Sequence, residues 1–318
     1  MDTLAKALIS RASGQSKLRV DDVVICEVDL AMIHDSGGPR RVKPILDRLQ
    51  RQVWDKDKIV VVTDHYVPAD NAETQAIQAL TKQWVQDQSI DKFYDEQGIC
   101  HVVLPERGHL APGLFCVGGD SHSPTGGAFG AYMFGIGATE MAGVLATGEI
   151  WIKVPETILM SWRNQLSAYV TAKDMMLAMC RKIGMGGGRY QAIQYAGQTI
   201  QALSMQERMT LSNMAAELGA QAGLIAPDEA TVAFVQAAGG TVPANWRDFQ
   251  IEAAESAENV MQFDAASLEP QIAAPHSPEN ADAADGFRNI SFDVAYIGAC
   301  TGAKYVDLAA AAEVLKGR

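Results

Sequence analysis

Four corners of the chain set a histidine beside an acidic or polar residue near an apolar run: His34-Asp35 after DLAMI, Asp64-His65 after KIVVVT, His101 inside GICHVVLP, and Asp120-Ser121-His122 after LFCVGG. A single strand-end histidine is ordinarily just a hydrogen-bonded corner, but a group of one type points to a shared site. An Asp–His pair holds one imidazole tautomer and tunes its proton affinity, as general acid–base work on a hydroxyl requires. Ser121 can serve as a base where neighbouring donors lower its pKa. The same residue types also allow another chemistry, with His65, His101 and His122 as ligands to one divalent ion. Cys300, in IGACTGA, lies between an expected strand and helix, where N-terminal N–H groups favour a thiolate; the alternative is a buried apolar filler.

These corners need strands and helices to carry them. Hydrophobic periodicity predicts a helix near residues 3–12, a strand over 23–33, a helix over 42–49 and a strand over 58–65. A helix over 72–88, strands over 99–105 and 113–122, and a Gly-rich turn entering a helix after Gly126 follow. Ligands in open α/β sheets gather at such strand ends. From Ile158 the pattern changes to short strands and amphipathic helices (AKDMMLAMCRKIG, SMQERMTLSNMAAELGAQAG), then a Glu/Ala/Asp-rich segment to about Phe263. The Pro-, Ala- and Asp-rich stretch 265–289 reads as an extended connection. Beyond it, ISFDVAYIGACTGAKYVDLAAAAEVLKGR reads as one strand, a turn and one helix. The fold class is α/β, with a first domain over 1–157, a second lobe over 158–264, a linker over 265–289 and the start of an incomplete third domain over 290–318.

Composition narrows the function. Hydrophobic residues make up 48% of the 318 and charged residues 20%, and no apolar run approaches the roughly 18–20 residues of a membrane span. The N-terminus lacks a basic flank before an apolar run, so a cytoplasmic location is expected. A net charge of −12 argues against nucleic acid or anionic membranes, which need a basic surface to release counterions. The cysteines at 26, 100, 116, 180 and 300 form no C-x-x-C pair, which suits reduced thiols. GGDSHSPTGGAFG matches neither G-x-x-x-x-G-K-[ST] nor a dinucleotide fingerprint.

The chain resembles the aconitase family at HDSGGP (34–39), TDHYVPADN (63–71), GICH (98–101), GGDSHSPTGGAFG (118–130), LSMQERMTLSNMAAELGAQAGLIAPDE (203–229) and IGACTG (297–302). APHSPEN (274–280) and LIAPDE (224–229) are similar to the isopropylmalate dehydratase and homoaconitase branch. The resemblance implies aconitase-like α/β/α three-layer domains around a cleft and a hydro-lyase of a hydroxy di- or tricarboxylic acid. It also implies a 4Fe–4S cluster held by three cysteines, with Cys300 as the first ligand. By resemblance Asp64-His65, His101 and Asp120-His122 are active-site Asp/His pairs, His34 and Asp35 lie near a substrate-side loop, and a separate small subunit completes the site. Two positions depart from the family pattern: Ala299-Cys300-Thr301-Gly302 stands for Ser-Cys-Thr-Asn, and Gln194 occupies a substrate-side position where a Glu is usual. The family's C-x-x-C comes several tens of residues after its first cysteine, whereas 18 residues follow Cys300. Another polypeptide completing the third domain, or self-association, is therefore expected. The alternative is a cluster-free, non-catalytic relative that binds a dicarboxylate or a partner subunit.

Overall fold

The computed structural model describes residues 3–252 and 259–317. Helix α1 (Leu4–Ser13) is capped by the Thr3 side chain and closed by Gly14 in the left-handed region (φ 69°). Strands β1 (Val23–Glu27) and β2 (Leu30–His34) follow, then α2 (Pro39–Leu49), β3 (Ile59–Thr63), α3 (Ala72–Asp87), β4 (Phe93–Asp95), α4 (Cys100–Glu106) and β5 (Phe115–Gly118). A 3-10 segment over Ser123–Phe129 leads into β6 (Tyr132–Gly135), α5 (Ala138–Thr147) and β7 (Glu149–Lys153).

Strands β2 to β6, without β1, form a five-stranded parallel sheet in the order β4-β3-β2-β5-β6. Alternate residues of its central strands enter two separate cores: Ala31, Ile33, Ile59, Val61, Phe115 and Val117 on one side, and Met32, Val60, Val62 and Cys116 on the other. A parallel sheet buried on both faces needs cover on both, and α2, α3 and α5 pack together on one side while α4 contacts β3. This is the three-layer α/β/α arrangement.

A second parallel sheet, in the order β10-β9-β8-β11, comprises β8 (Thr157–Arg163), β9 (Ala192–Ala196), β10 (Ala222–Ile225) and β11 (Val260–Asp264). Its helices are α6 (Ala172–Ile183), α7 (Gln198–Ala202), α8 (Met205–Asn213) and α9 (Glu229–Ala237). The Glu/Ala/Asp-rich segment falls in part on residues 253–258, outside the described residues. Strands β12 (Gln271–Ala273) and β13 (Ala281–Ala283) form a small antiparallel ribbon, and α10 (Tyr305–Leu315) closes the described chain.

Several expectations about elements need correction. The 23–33 run breaks at Val28-Asp29, so β1 leaves the main sheet to pair antiparallel with β7. Residues 99–105 are helix rather than strand, because the Asp64 carboxylate accepts the Cys100 N–H at 2.7 Å and anchors that helix start. A 3-10 turn and β6 intervene before the helix expected after Gly126. The connection over 265–289 carries the β12–β13 ribbon. Residues 290–297 form no strand: a strand needs a neighbour, and none of the described residues pairs with them.

Candidate active site

The strand order turns at β2: β3 and β4 lie on one side of it and β5 and β6 on the other, all parallel. The carboxyl ends of β2, β3 and β5 thus meet at a switch point, the usual ligand crevice of open α/β sheets. His34 ends β2, Asp64-His65 follow β3, and Asp120-Ser121-His122 follow β5.

Asp35 is fully buried, and its carboxylate accepts the backbone N–H groups of Ser36, His65 and Tyr66, each at 3.1 Å. It fixes the loop that presents His65. The buried His34 donates from Nε2 to Gly119 O at 2.9 Å and accepts the Gly37 N–H at Nδ1, which defines a neutral ring. Burial and the neighbouring His65 lower its pKa. Its ring stacks under His65 with centroids 4.0 Å apart. The polar atoms of His34 and Asp35 are taken up by backbone in this arrangement, which positions His65.

His65 Nδ1 lies 2.6 Å from Asp64 Oδ1, and its Nε2 faces Asp120 Oδ2 at 3.7 Å. The Asp120 and Asp64 carboxylates push the His65 pKa up to about 10. Burial alone would raise the Asp64 carboxyl, but the His65 ring and the Cys100 N–H outweigh it and the net shift is downward. Because Asp64 also anchors α4, the same carboxylate sets His101 in the first turn of that helix. There His101 Nε2 meets Asp120 Oδ1 at 2.6 Å. His101 is thus a helix-start residue, not a strand-end one.

Asp120 Oδ1 also accepts the His122 N–H at 2.7 Å, and His122 Nδ1 lies 3.6 Å from it. The opposite ring nitrogen, Nε2, lies 3.1 Å from Glu217 Oε1. Asp120 and Glu217 push His122 up to about 10. Burial works against the Asp120 charge, yet His101, His122 and His65 hold its carboxyl far below the usual range. Ser121 is exposed beside this group, with Oγ 3.3 Å from His122 Nδ1. A cleft of about 410 Å³ opens here, lined by Asp120, Ser121, Pro124, Tyr190 and Gln221 among others.

Cys300 reaches the edge of this group through Asn213, whose Nδ2 lies 3.3 Å from Cys300 Sγ and 2.8 Å from Thr125 Oγ1. Gln194 does not come to it. That side chain is fully buried, with Oε1 accepting the Leu4 N–H at 3.4 Å and Nε2 donating to Ile251 O at 2.7 Å. Both ends of its amide tie backbone segments together. Glu217 and Asn213 went unrecognised as site residues. They lie inside the SNMAAELG motif but carry no strand-end signature, and only the fold brings Glu217 to His122, 95 positions earlier, and Asn213 to Cys300, 87 positions later.

A three-thiolate cluster finds no full donor set here. Cys26, Cys116 and Cys180 are buried in apolar cores that raise their thiols, Cys26 and Cys180 to about 12. Cys100 is buried and raised as well, leaving Cys300 as the one partly exposed cysteine among the described residues. The groups close enough to share an ion, again among the described residues, are His34-Asp35-Asp64-His65 and His101-Asp120-His122, neither containing a cysteine. Among the described residues, Cys300 is the one thiol placed to serve such a cluster.

The chain matches the Aconitase family (aconitate hydratase) over residues 6–289. It is 42% identical over 316 residues to the 3-isopropylmalate dehydratase large subunit 1 of Methanopyrus kandleri, covering 99% of this chain and 75% of that protein. It is 40% identical over 317 residues to the probable 3-isopropylmalate dehydratase large subunit of Methanothermobacter thermautotrophicus, with the same coverage. A probable methanogen homoaconitase large subunit of Methanosarcina mazei is 40% identical over 296 residues, 93% of this chain and 75% of the relative. The chain belongs to the aconitase family, and with it to the hydro-lyases. It spans about 75% of the length of these relatives.

Proposed function

We propose that the chain acts as the large subunit of a dehydratase, eliminating water from a hydroxy di- or tricarboxylic acid of the 3-isopropylmalate or homoaconitate kind. The observation that carries this reading is the convergence of His65, His101 and His122 on Asp120 beside an open cleft. Elimination breaks a C–H and an adjacent C–O bond while the C–H electron pair becomes the new double bond. The departing oxygen needs a proton. His65 is protonated at neutral pH, pinned by Asp64 and Asp120, exposed to solvent, and braced by the His34 ring. It hands its proton to the leaving hydroxyl, which departs as water. Ser121 Oγ, beside the His122 imidazolium, is the base on this chain for the carbon-bound proton, because an adjacent cation favours the ionised hydroxyl.

The relatives are named as large subunits. The partners that fit are a small subunit or a second copy of this chain. The test is formation of the unsaturated acid by the purified chain with and without a dehydratase small subunit. His65→Gln is expected to lower kcat by about 10²–10⁴, the usual worth of a positioned general acid, with an unchanged circular dichroism spectrum. A fully active His65→Gln enzyme would overturn the proton-donor role. The single cysteine at the site favours one other reading, a relative that binds the acid without turning it over; it predicts saturable binding of the acid with no product.

A further inference from the structure

The ribbon of β1 and β7 stands outside both parallel sheets, and the outer edge of β7 is open. At the two ends of the ribbon the Val28 N–H donates to Gly148 O and the Val154 N–H to Asp22 O. Bonded residues alternate along an antiparallel ladder, so Ile150 and Ile152 turn their backbone groups toward β1 while Trp151 and Lys153 turn theirs away. Among the described residues nothing pairs with that edge. A cleft of about 570 Å³, lined by Phe134, Ile136, Trp151 and Tyr190 among others, lies against β7.

Along β7 the side chains run Glu149-Ile150-Trp151-Ile152-Lys153, oppositely charged at the two ends and symmetric in size about the tryptophan. Glu149, Trp151 and Lys153 share the exposed face. Antiparallel pairing of this edge with itself about Trp151 sets each Glu149 opposite Lys153 of a second copy and the two Trp151 rings opposite each other, and both kinds of cross-strand pair are stabilising. Within one chain the same face is poorly matched. Glu27 and Glu149 stand directly opposite with no cation paired to either among the described residues, and Val23, Ile25 and Trp151 are each 60% or more exposed. Lys153 pairs with Asp21 of its own chain at 2.7 Å, but both side chains are well exposed, so that pair contributes little and exchanges readily.

We propose that two copies of this chain associate through β7, edge to edge and antiparallel about Trp151, into one four-stranded sheet in the order β1-β7-β7-β1. The contact is isologous, with the same patch serving on both sides of a two-fold axis. It gives the free backbone groups of Trp151 and Lys153 partners, joins the exposed Ile25–Trp151 row to its counterpart, and brings a lysine beside the Glu27–Glu149 pair. Edge strands are commonly blunted by charge; this one carries charges that a two-fold axis turns into attractions. The pairing does not rest on the reaction proposed above.

The test is sedimentation equilibrium of the full chain, with Phe292→Ser and Tyr296→Ser in place so that those exposed rings hold no copies together. A dimer is expected. Glu149→Lys and Lys153→Glu each set like charges opposite one another and should each weaken the dimer by at least about 10-fold. An equimolar mixture of these two variants, and the double variant carrying both changes, should regain the parent's affinity. Trp151→Cys combined with Cys300→Ser should form an inter-chain disulfide on mild oxidation, because directly bonded antiparallel residues lie about 5.5 Å apart at Cα. A parent chain that stays monomeric at high micromolar concentration, single variants that associate as tightly as the parent, or a mixture no tighter than its components would overturn the inference. So would a monomeric chain whose binding of a dehydratase small subunit is lost in Lys153→Glu, which would assign the edge to that partner.

Discussion

Asp120 takes a hydrogen bond from His101 and the His122 N–H while His65 faces its second oxygen, so one carboxylate organises three rings that lie apart in the chain. The pH dependence of stability follows. His65 and His122 are raised from an ordinary value of 6.5 to about 10, so their protonated forms favour the folded state. That contribution is fully present below about pH 6.5 and is lost as pH rises toward 10. Asp64 and Asp120 are shifted down, and their contribution fades as the pH falls below the ordinary carboxylate range. The urea midpoint is therefore expected to decline between pH 7 and 10, and to decline less steeply in Asp120→Asn; equal slopes would show that Asp120 does not hold the two rings charged. Much of this site was legible because Asp64-His65 and Asp120-Ser121-His122 are neighbours in sequence, each at the end of an apolar run. The His122–Glu217 contact was not, since it joins loops from different sheets and no local spacing encodes it.

Elements bring those residues together through close backbone approach. The 3-10 segment over Ser123–Phe129 packs against α8 and β10, and a Cβ added at Gly127 would lie 1.9 Å from the Gly223 carbonyl oxygen. Backbone on both sides cannot yield cheaply, so Gly127→Ala is expected to destabilise by about 1–3 kcal/mol or more. Gly143, inside α5, has nothing within 4 Å of such a Cβ. There Gly143→Ala should stabilise by about 0.5–1 kcal/mol through a less flexible unfolded chain. Denaturant melts of the two variants check both signs. The apolar runs of β2, β3 and β5 could be read as strands because buried parallel strands need continuous hydrophobicity. The run 99–105 misled because its β-branched residues look strand-like while its helix-start contact comes from Asp64, 36 positions away. The alternation in 290–297 misled for the opposite reason: the pattern is there, but none of the described residues pairs with it.

At the scale of the molecule, that same segment leaves Phe292 76% and Tyr296 84% exposed, with Ile290 and Val294 beside them in the same alternation. Apolar surface of this kind marks an interaction face. The chain is expected to sediment as a species larger than a monomer at micromolar concentration, and Phe292→Ser with Tyr296→Ser to shift it toward monomer; an unchanged profile would place any association elsewhere. The largest core is built differently, joining Leu4 and Leu8 of α1 and Phe115 and Tyr132 of the first sheet to Ala192, Ala222 and Leu224 of the second. Gln194 adds a polar tie between Leu4 and Ile251. Neither sheet can therefore shed its partner without baring the other's interior to water. Scanning calorimetry should give one endotherm for both sheets together, and a fragment cut near residue 157 should behave as a molten, dye-binding species rather than as a smaller folded protein.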